Sequence, residues 1–213
     1  MKQILCFGDS NTYGLKPDGT GRFDFAVRYP GRLQAILGGG WRVIEEGCPG
    51  RTTIFEDKNR PYKKGLDYIT PCLQSHIPLD YVVVMLGTND CKTNFAATSK
   101  EIASGLSLVI ARIQDECGPS GKSGSFPKIV LVSPIHLGED IGKPGYDPEF
   151  DCTSVQTAKR LACEYHMLAQ KTGSIFLNAA EVTKPSPIDQ EHLDEEGHRL
   201  LAEAIAKIIM DAE

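Results

Sequence analysis

The sequence predicts an α/β fold, a three-layer α/β/α sandwich in which helices cover both faces of a five-stranded parallel sheet. Three observations predict it. Short apolar runs alternate with helical patterns over most of the chain. The first run is apolar at consecutive positions, as in strands buried on both faces. Neither an internal repeat nor a linker divides the 213 residues, so one domain spanning 1–213 is expected.

The elements follow in order. Residues 3–7 form the first strand, a continuous apolar run. Residues 26–37 have helical spacing and stop at Gly38-Gly39-Gly40. Residues 41–45 are the second strand, and 80–86, rich in β-branched residues and closed by Gly87, the third. A long helix over 98–117 places Ile102, Leu106, Val109 and Ile113 on one face. Residues 128–132 form the fourth strand, ending at Ser133-Pro134. A helix over 152–172, a fifth strand over 174–177 and a final helix over 194–210 complete the chain. Three long polar segments, 15–25, 51–61 and 136–151, are loops of the length that often serves function.

Composition narrows the function classes. With 41% hydrophobic residues the chain buries a core without staples, and a formal charge of -5 supplies no basic field for nucleic acid or anionic lipid. No stretch approaches the roughly 18 apolar residues of a membrane span. Ile4-Leu5-Cys6-Phe7 is too short for a signal-peptide core, so a cytoplasmic protein is expected. The seven cysteines contain no Cys-x-x-Cys pair and are expected to be reduced, acting as small core hydrophobes. Neither a metal nor an organic cofactor is implied. Gly118-Pro119-Ser120-Gly121-Lys122-Ser123 departs from the phosphate-loop pattern, because Glu116 occupies the first glycine position and a helix precedes it. It reads as a surface loop.

In open parallel sheets ligands lie beyond the carboxyl ends of the strands. There the first strand runs into Gly8-Asp9-Ser10-Asn11-Thr12, and the second into Gly47-Cys48-Pro49-Gly50-Arg51-Thr52. The third ends in Gly87-Thr88-Asn89-Asp90, and Asp189-Gln190-Glu191-His192 precedes the last helix. Each alone is ordinary turn or cap chemistry. Together they supply a hydroxyl, a glycine backbone, a carboxamide and an Asp/His pair, the parts for acyl transfer to a serine.

Gly8-Asp9-Ser10, Gly50, Gly87-x-Asn89-Asp90 and Asp189-x-x-His192, in that order, resemble the four blocks of the SGNH hydrolases, the GDSL-type esterases and lipases. The resemblance spans nearly the whole chain. Ile4–Ser10, Val43-Ile44-Glu45-Glu46-Gly47, Arg51-Thr52-Thr53 and Met85-Leu86-Gly87-Thr88-Asn89-Asp90 are similar to the bacterial arylesterase/acyltransferase branch. It implies a flavodoxin-like sheet, a small-molecule ester substrate, a homo-oligomer and, as in some members, perhydrolysis. Asn11 stands where the family usually has Leu, and Glu45 where Asn often precedes the second-block glycines.

The resemblance implies Ser10 as nucleophile, His192 as its base and Asp189 as the group that fixes the base's tautomer. It assigns the oxyanion hole to the backbone N–H groups of Ser10 and Gly50 and the side-chain amide of Asn89. Asp9 and Asp90 read as turn braces, since neighbouring side chains at a strand end point apart. Among the other histidines, His198 and His166 read as helix-surface residues, and His76 as a loop residue without an acidic partner. His136 follows the fourth strand, where it could line a cleft. Tyr13, Phe23, Phe55, Phe95 and Phe150 are expected near that cleft. The expected activity is hydrolysis of small or aryl carboxylic esters through an acyl-enzyme. Removal of acetyl groups from carbohydrates and a non-catalytic small-molecule or carbohydrate binding module are the alternatives.

Overall fold

The five apolar runs become the five strands, and their alternating residues feed two separate cores. A computed structural model describes residues 1–118 and 126–213. Strands β1 (Lys2–Gly8), β2 (Trp41–Gly47), β3 (Tyr81–Met85), β4 (Lys128–Ser133) and β5 (Ile175–Asn178) pair in parallel. Their order is β2-β1-β3-β4-β5, the flavodoxin-like arrangement. Residues two apart share a face. Leu5 and Phe7 join Val82, Val84 and Leu131 under helices α3 (Gly65–His76), α4 (Ser99–Cys117) and α5 (Cys152–Thr172). Ile4 and Cys6 join Val83, Met85 and Val132 under α2 (Tyr29–Leu37) and α6 (Glu195–Asp211).

The long helices start where capping chemistry places them. Thr98 and Glu101 form a capping box for α4, and Asp151 with Ser154 forms one for α5. Helix α2 begins at Tyr29 rather than at residue 26, because Arg28 is extended and Pro30 lies in the first turn.

Helix α3 is an element the apolar pattern left as loop. Pro71 lies inside it, yet Ile69, Cys72 and Leu73 bury one face against the sheet. His76 is therefore the last residue of a helix, and it has an acidic partner, with Nε2 2.9 Å from Glu46 Oε1. Both expectations for His76 are corrected. The cysteine expectation is also corrected in part: all seven are free, but Cys152 and Cys163 are exposed and Cys48 is half-buried. Residues 119–123 of the Gly-Pro-Ser-Gly-Lys-Ser run lie outside the described residues. Among the described residues no helix is long and apolar enough to cross a membrane.

The sheet order reverses between β1 and β3, so the loops after these two strands face one crevice. Ser10 follows β1 and Asn89 follows β3. The β3 exit needs glycine. Gly87 has φ +124°, and a Cβ there would lie 2.4 Å from the Tyr165 hydroxyl, which donates to Leu86 O at 2.9 Å. Gly87→Ala is expected to destabilise the fold by about 2–4 kcal/mol through backbone strain and that lost hydrogen bond. A lowered denaturant midpoint checks it.

Candidate active site

Ser10 is positioned by a turn that only small residues permit. Its helix, α1 (Ser10–Tyr13), is a single turn closed by Gly14 at φ +81°. A Cβ on Gly47 would lie 2.1 Å from Tyr13 N, so α1 rests directly on the end of β2. Asp9 caps the turn, its Oδ1 accepting the Asn11 N–H at 3.0 Å. Asp9 thus braces the turn, as expected.

The histidine arrives from the far end of the chain on a turn built by Asp189. One carboxylate oxygen, Oδ1, accepts the backbone N–H groups of Glu191 and His192 at 3.1 and 3.0 Å. The other, Oδ2, lies 2.6 Å from His192 Nδ1. Gln190, at φ +64°, reverses the chain, and its carbonyl accepts from Gly138 N at 2.7 Å. His192 Nε2 then lies 2.9 Å from Ser10 Oγ. With Nδ1 donating to the carboxylate, Nε2 is left to accept the serine proton.

Asn11 fastens the two segments together. Its Oδ1 accepts the Leu193 N–H at 2.8 Å, and its Nδ2 donates to Glu191 O at 3.4 Å. The residues flanking His192 are therefore gripped by the residue after Ser10, which a leucine could not do. Glu45, the other departure, forms an ion pair with Arg28 at 2.7 Å and with Arg22 at 3.2 Å.

The second and third loops are joined beneath the site. Asp90 Oδ1 accepts the Thr53 N–H at 2.9 Å as well as its hydroxyl, and Asn89 Nδ2 donates to Arg51 O at 3.2 Å. Arg51 donates to Gly8 O at 2.8 Å and to Glu46 O, and its guanidinium lies over the Phe7 ring. Asp90 is thus the brace expected. Gly50, with φ +80°, turns its backbone where a side chain would be strained. Among the described residues, the N–H groups of Ser10 and Gly50 donate to no protein acceptor. Ser10, Gly50 and Asn89 are all buried.

Burial disfavours charge on His192, but the Asp189 hydrogen bond and the negative charges of Glu191, Asp189 and Asp9 outweigh it and raise its pKa. Asp189 answers in the opposite direction. Its burial is outweighed by the hydrogen bond and charge of His192, which hold it below the ordinary carboxylate value. A base must be neutral to take a proton. A reaction that uses His192 as its base is therefore expected to show kcat/KM rising with pH through a midpoint above the imidazole reference of 6.5. Glu191→Gln, removing a neighbouring negative charge, is expected to move that midpoint down. A pH–rate profile of both proteins checks this.

The burial of two residues near the site is not legible in the sequence. Glu191 is 7% exposed and its Oε1 is 3.8 Å from His192 Nε2. Burial pushes its carboxyl up to about 7 against the opposing charges of His192 and Lys92. Its position between Gln190 and His192 was the only signal available, and adjacency does not reveal burial. His198, expected on the helix surface, is fully buried. Its Nδ1 accepts the Tyr29 N–H at 3.3 Å, and its ring packs between Phe23 and Tyr29. Burial first, then Arg32 and Arg28, push its pKa down to about 3, so it is a neutral core residue.

His166 is exposed and stacks on Phe176, and His136 is half-buried with a pKa lowered by burial and Lys159. Phe150 belongs to the core, Phe23 packs on His198, and Phe55 pairs with Phe95 at 5.5 Å. Glu46, Cys72 and His76 bring possible metal-ligand atoms within 4.8 Å of one another. There Glu46 is already bonded to His76 and Tyr68, and burial pushes the Cys72 thiol up to about 12. The cluster is a hydrogen-bonded histidine–glutamate pair beside a core thiol.

Residues 6–200 match the model of the GDSL-like Lipase/Acylhydrolase family. A carbohydrate acetylesterase from Sinorhizobium meliloti is 34% identical, with a TM-score of 0.91 over 100% of both chains. The aryl esterase of M. smegmatis is 35% identical, with a TM-score of 0.91 over 99% of each chain. An acetylxylan esterase from Xylanibacter ruminicola is 25% identical across 97% of this chain, which spans only 43% of that relative's length.

Proposed function

The chain belongs to the GDSL-like lipase/acylhydrolase family, and from that premise we propose that it hydrolyses small or aryl carboxylic esters with Ser10, His192 and Asp189. The observation that carries the proposal is the continuous path from Ser10 Oγ to His192 Nε2, 2.9 Å, and from Nδ1 to Asp189, 2.6 Å. Ser10 Oγ passes its proton to Nε2 as it attacks the ester carbonyl carbon. The carbonyl oxygen becomes an alkoxide, held by the N–H groups of Ser10 and Gly50 and by the Asn89 amide. The bond to the leaving alcohol then breaks, and that oxygen takes the proton from His192. Water repeats the sequence, releasing the acid and restoring Ser10. An alcohol or peroxide entering in place of water would give acyl transfer or perhydrolysis.

Asn89→Ala is expected to lower kcat by about 10²- to 10³-fold with the fold retained. An unchanged kcat in a folded variant removes Asn89 from the alkoxide site.

The names of two relatives favour a second reading, removal of acetyl groups from carbohydrate. Comparing kcat/KM on 4-nitrophenyl acetate with that on acetylated xylose separates the readings, and Ser10→Ala is expected to abolish both activities. Full activity in Ser10→Ala contradicts the assignment. A non-catalytic binding module predicts no turnover of either ester by the unaltered protein.

A further inference from the structure

A buried carboxylate is costly unless something compensates it. Among the described residues, no hydrogen bond reaches the Glu191 side-chain carboxylate, whose Oε1 lies 3.8 Å from His192 Nε2, and neither of its oxygens is sealed from solvent. Its backbone is held on both sides, by Asp189 through its N–H and by Asn11 through its carbonyl. With the backbone so held, the side chain reaches toward the nitrogen that handles the proton, although it takes no part in the hydrogen-bonded series from Ser10 to Asp189.

That nitrogen has a defined partner in the proposed reaction. During acylation the leaving oxygen must come within about 3 Å of Nε2 to receive its proton, and during deacylation the attacking oxygen occupies the same place. A group attached one carbon further along the alcohol is then within reach of Glu191, whose Oε1 is 3.8 Å from Nε2. We propose that Glu191 is a specificity-determining residue that hydrogen-bonds a second hydroxyl of the alcohol half of the ester, selecting polyhydroxylic leaving groups over those without a donor. The inference rests on the esterase reading above and extends it to the alcohol side of the substrate.

The surroundings suit a hydroxyl better than a bare hydrocarbon or a cation. Lys92, only 2% exposed, already places positive charge nearby and pairs with Glu149 at 2.8 Å. Glu149 also pairs with Arg60, so the segment carrying Asp147 and Glu149 is tied to the loops that follow β2 and β3. Burial raises the Glu191 carboxyl to about 7, so near neutrality both its forms are populated. A hydroxyl, being donor and acceptor, can bond either form. A phenyl or 4-nitrophenyl leaving group offers the carboxylate no donor.

Three acetate esters of similar size test this: 2-hydroxyethyl, 2-methoxyethyl and ethyl acetate. The unaltered protein is expected to favour the hydroxyethyl over the methoxyethyl ester by about tenfold in kcat/KM, as one hydrogen bond allows. Glu191→Leu is expected to bring that ratio close to one, and Glu191→Gln to keep part of it. Any effect of the carboxylate on the basicity of His192 changes all three rates together and cancels in the ratio. A ratio that Glu191→Leu leaves unchanged overturns the inference, as does an unaltered protein showing no preference. If Ser10→Ala hydrolyses the three esters at the unaltered rate, the esterase reading fails instead.

Discussion

Replacing His192 with alanine is expected to lower kcat for 4-nitrophenyl acetate by about 10⁴- to 10⁶-fold, while His198→Asn is expected to stay within about threefold of the unaltered protein. The two histidines lie six positions apart in sequence and differ in surroundings. His192 faces Ser10 and Asp189, and its neighbours favour the proton. His198 is enclosed by two aromatic rings, and two arginines oppose its protonation. Asparagine at 198 keeps an acceptor for the Tyr29 N–H, so the variant remains interpretable. Steady-state rates of the purified variants, with circular dichroism to verify folding, check the pair. The reverse pattern would mean that the base had been misassigned.

Asp189→Asn is expected to lower kcat by about 10⁴-fold without unfolding the site. Asparagine keeps an oxygen for the backbone N–H groups of Glu191 and His192, so the turn survives. Its amide, however, donates toward Nδ1. The imidazole proton is then driven to Nε2, where it faces Ser10 and cannot accept from it. Loss of the carboxylate also removes a charge that raises the His192 pKa, so the midpoint of the pH–rate profile falls along with the plateau. A large rate loss with an unchanged midpoint would show that Asp189 holds the turn and leaves the ring untouched.

The sheet was readable because its inner strands are buried on both faces, and so are apolar without interruption over residues 4–7 and 81–86. Helix α3 was not, because Pro71 disguises a pattern whose buried face, Ile69, Cys72 and Leu73, is short. The residues brought to the crevice between β1 and β3 were also readable, since strand ends and turn residues mark where loops must lie. Burial of individual side chains was not. His198 and Glu191 sit among charged neighbours in sequence, and the rings that enclose His198, Phe23 and Tyr29, come from the far end of the chain. The role of Asn11 was equally hidden, because its partners lie about 180 positions away.

The most direct measurement of the central claim is reaction with a fluorophosphonate, followed by intact mass and peptide mapping. A serine activated by His192 is expected to take up one phosphonyl group per chain on the peptide containing Ser10, with no uptake by Ser10→Ala. An adduct at another residue, or ester hydrolysis that persists in Ser10→Ala, would contradict it.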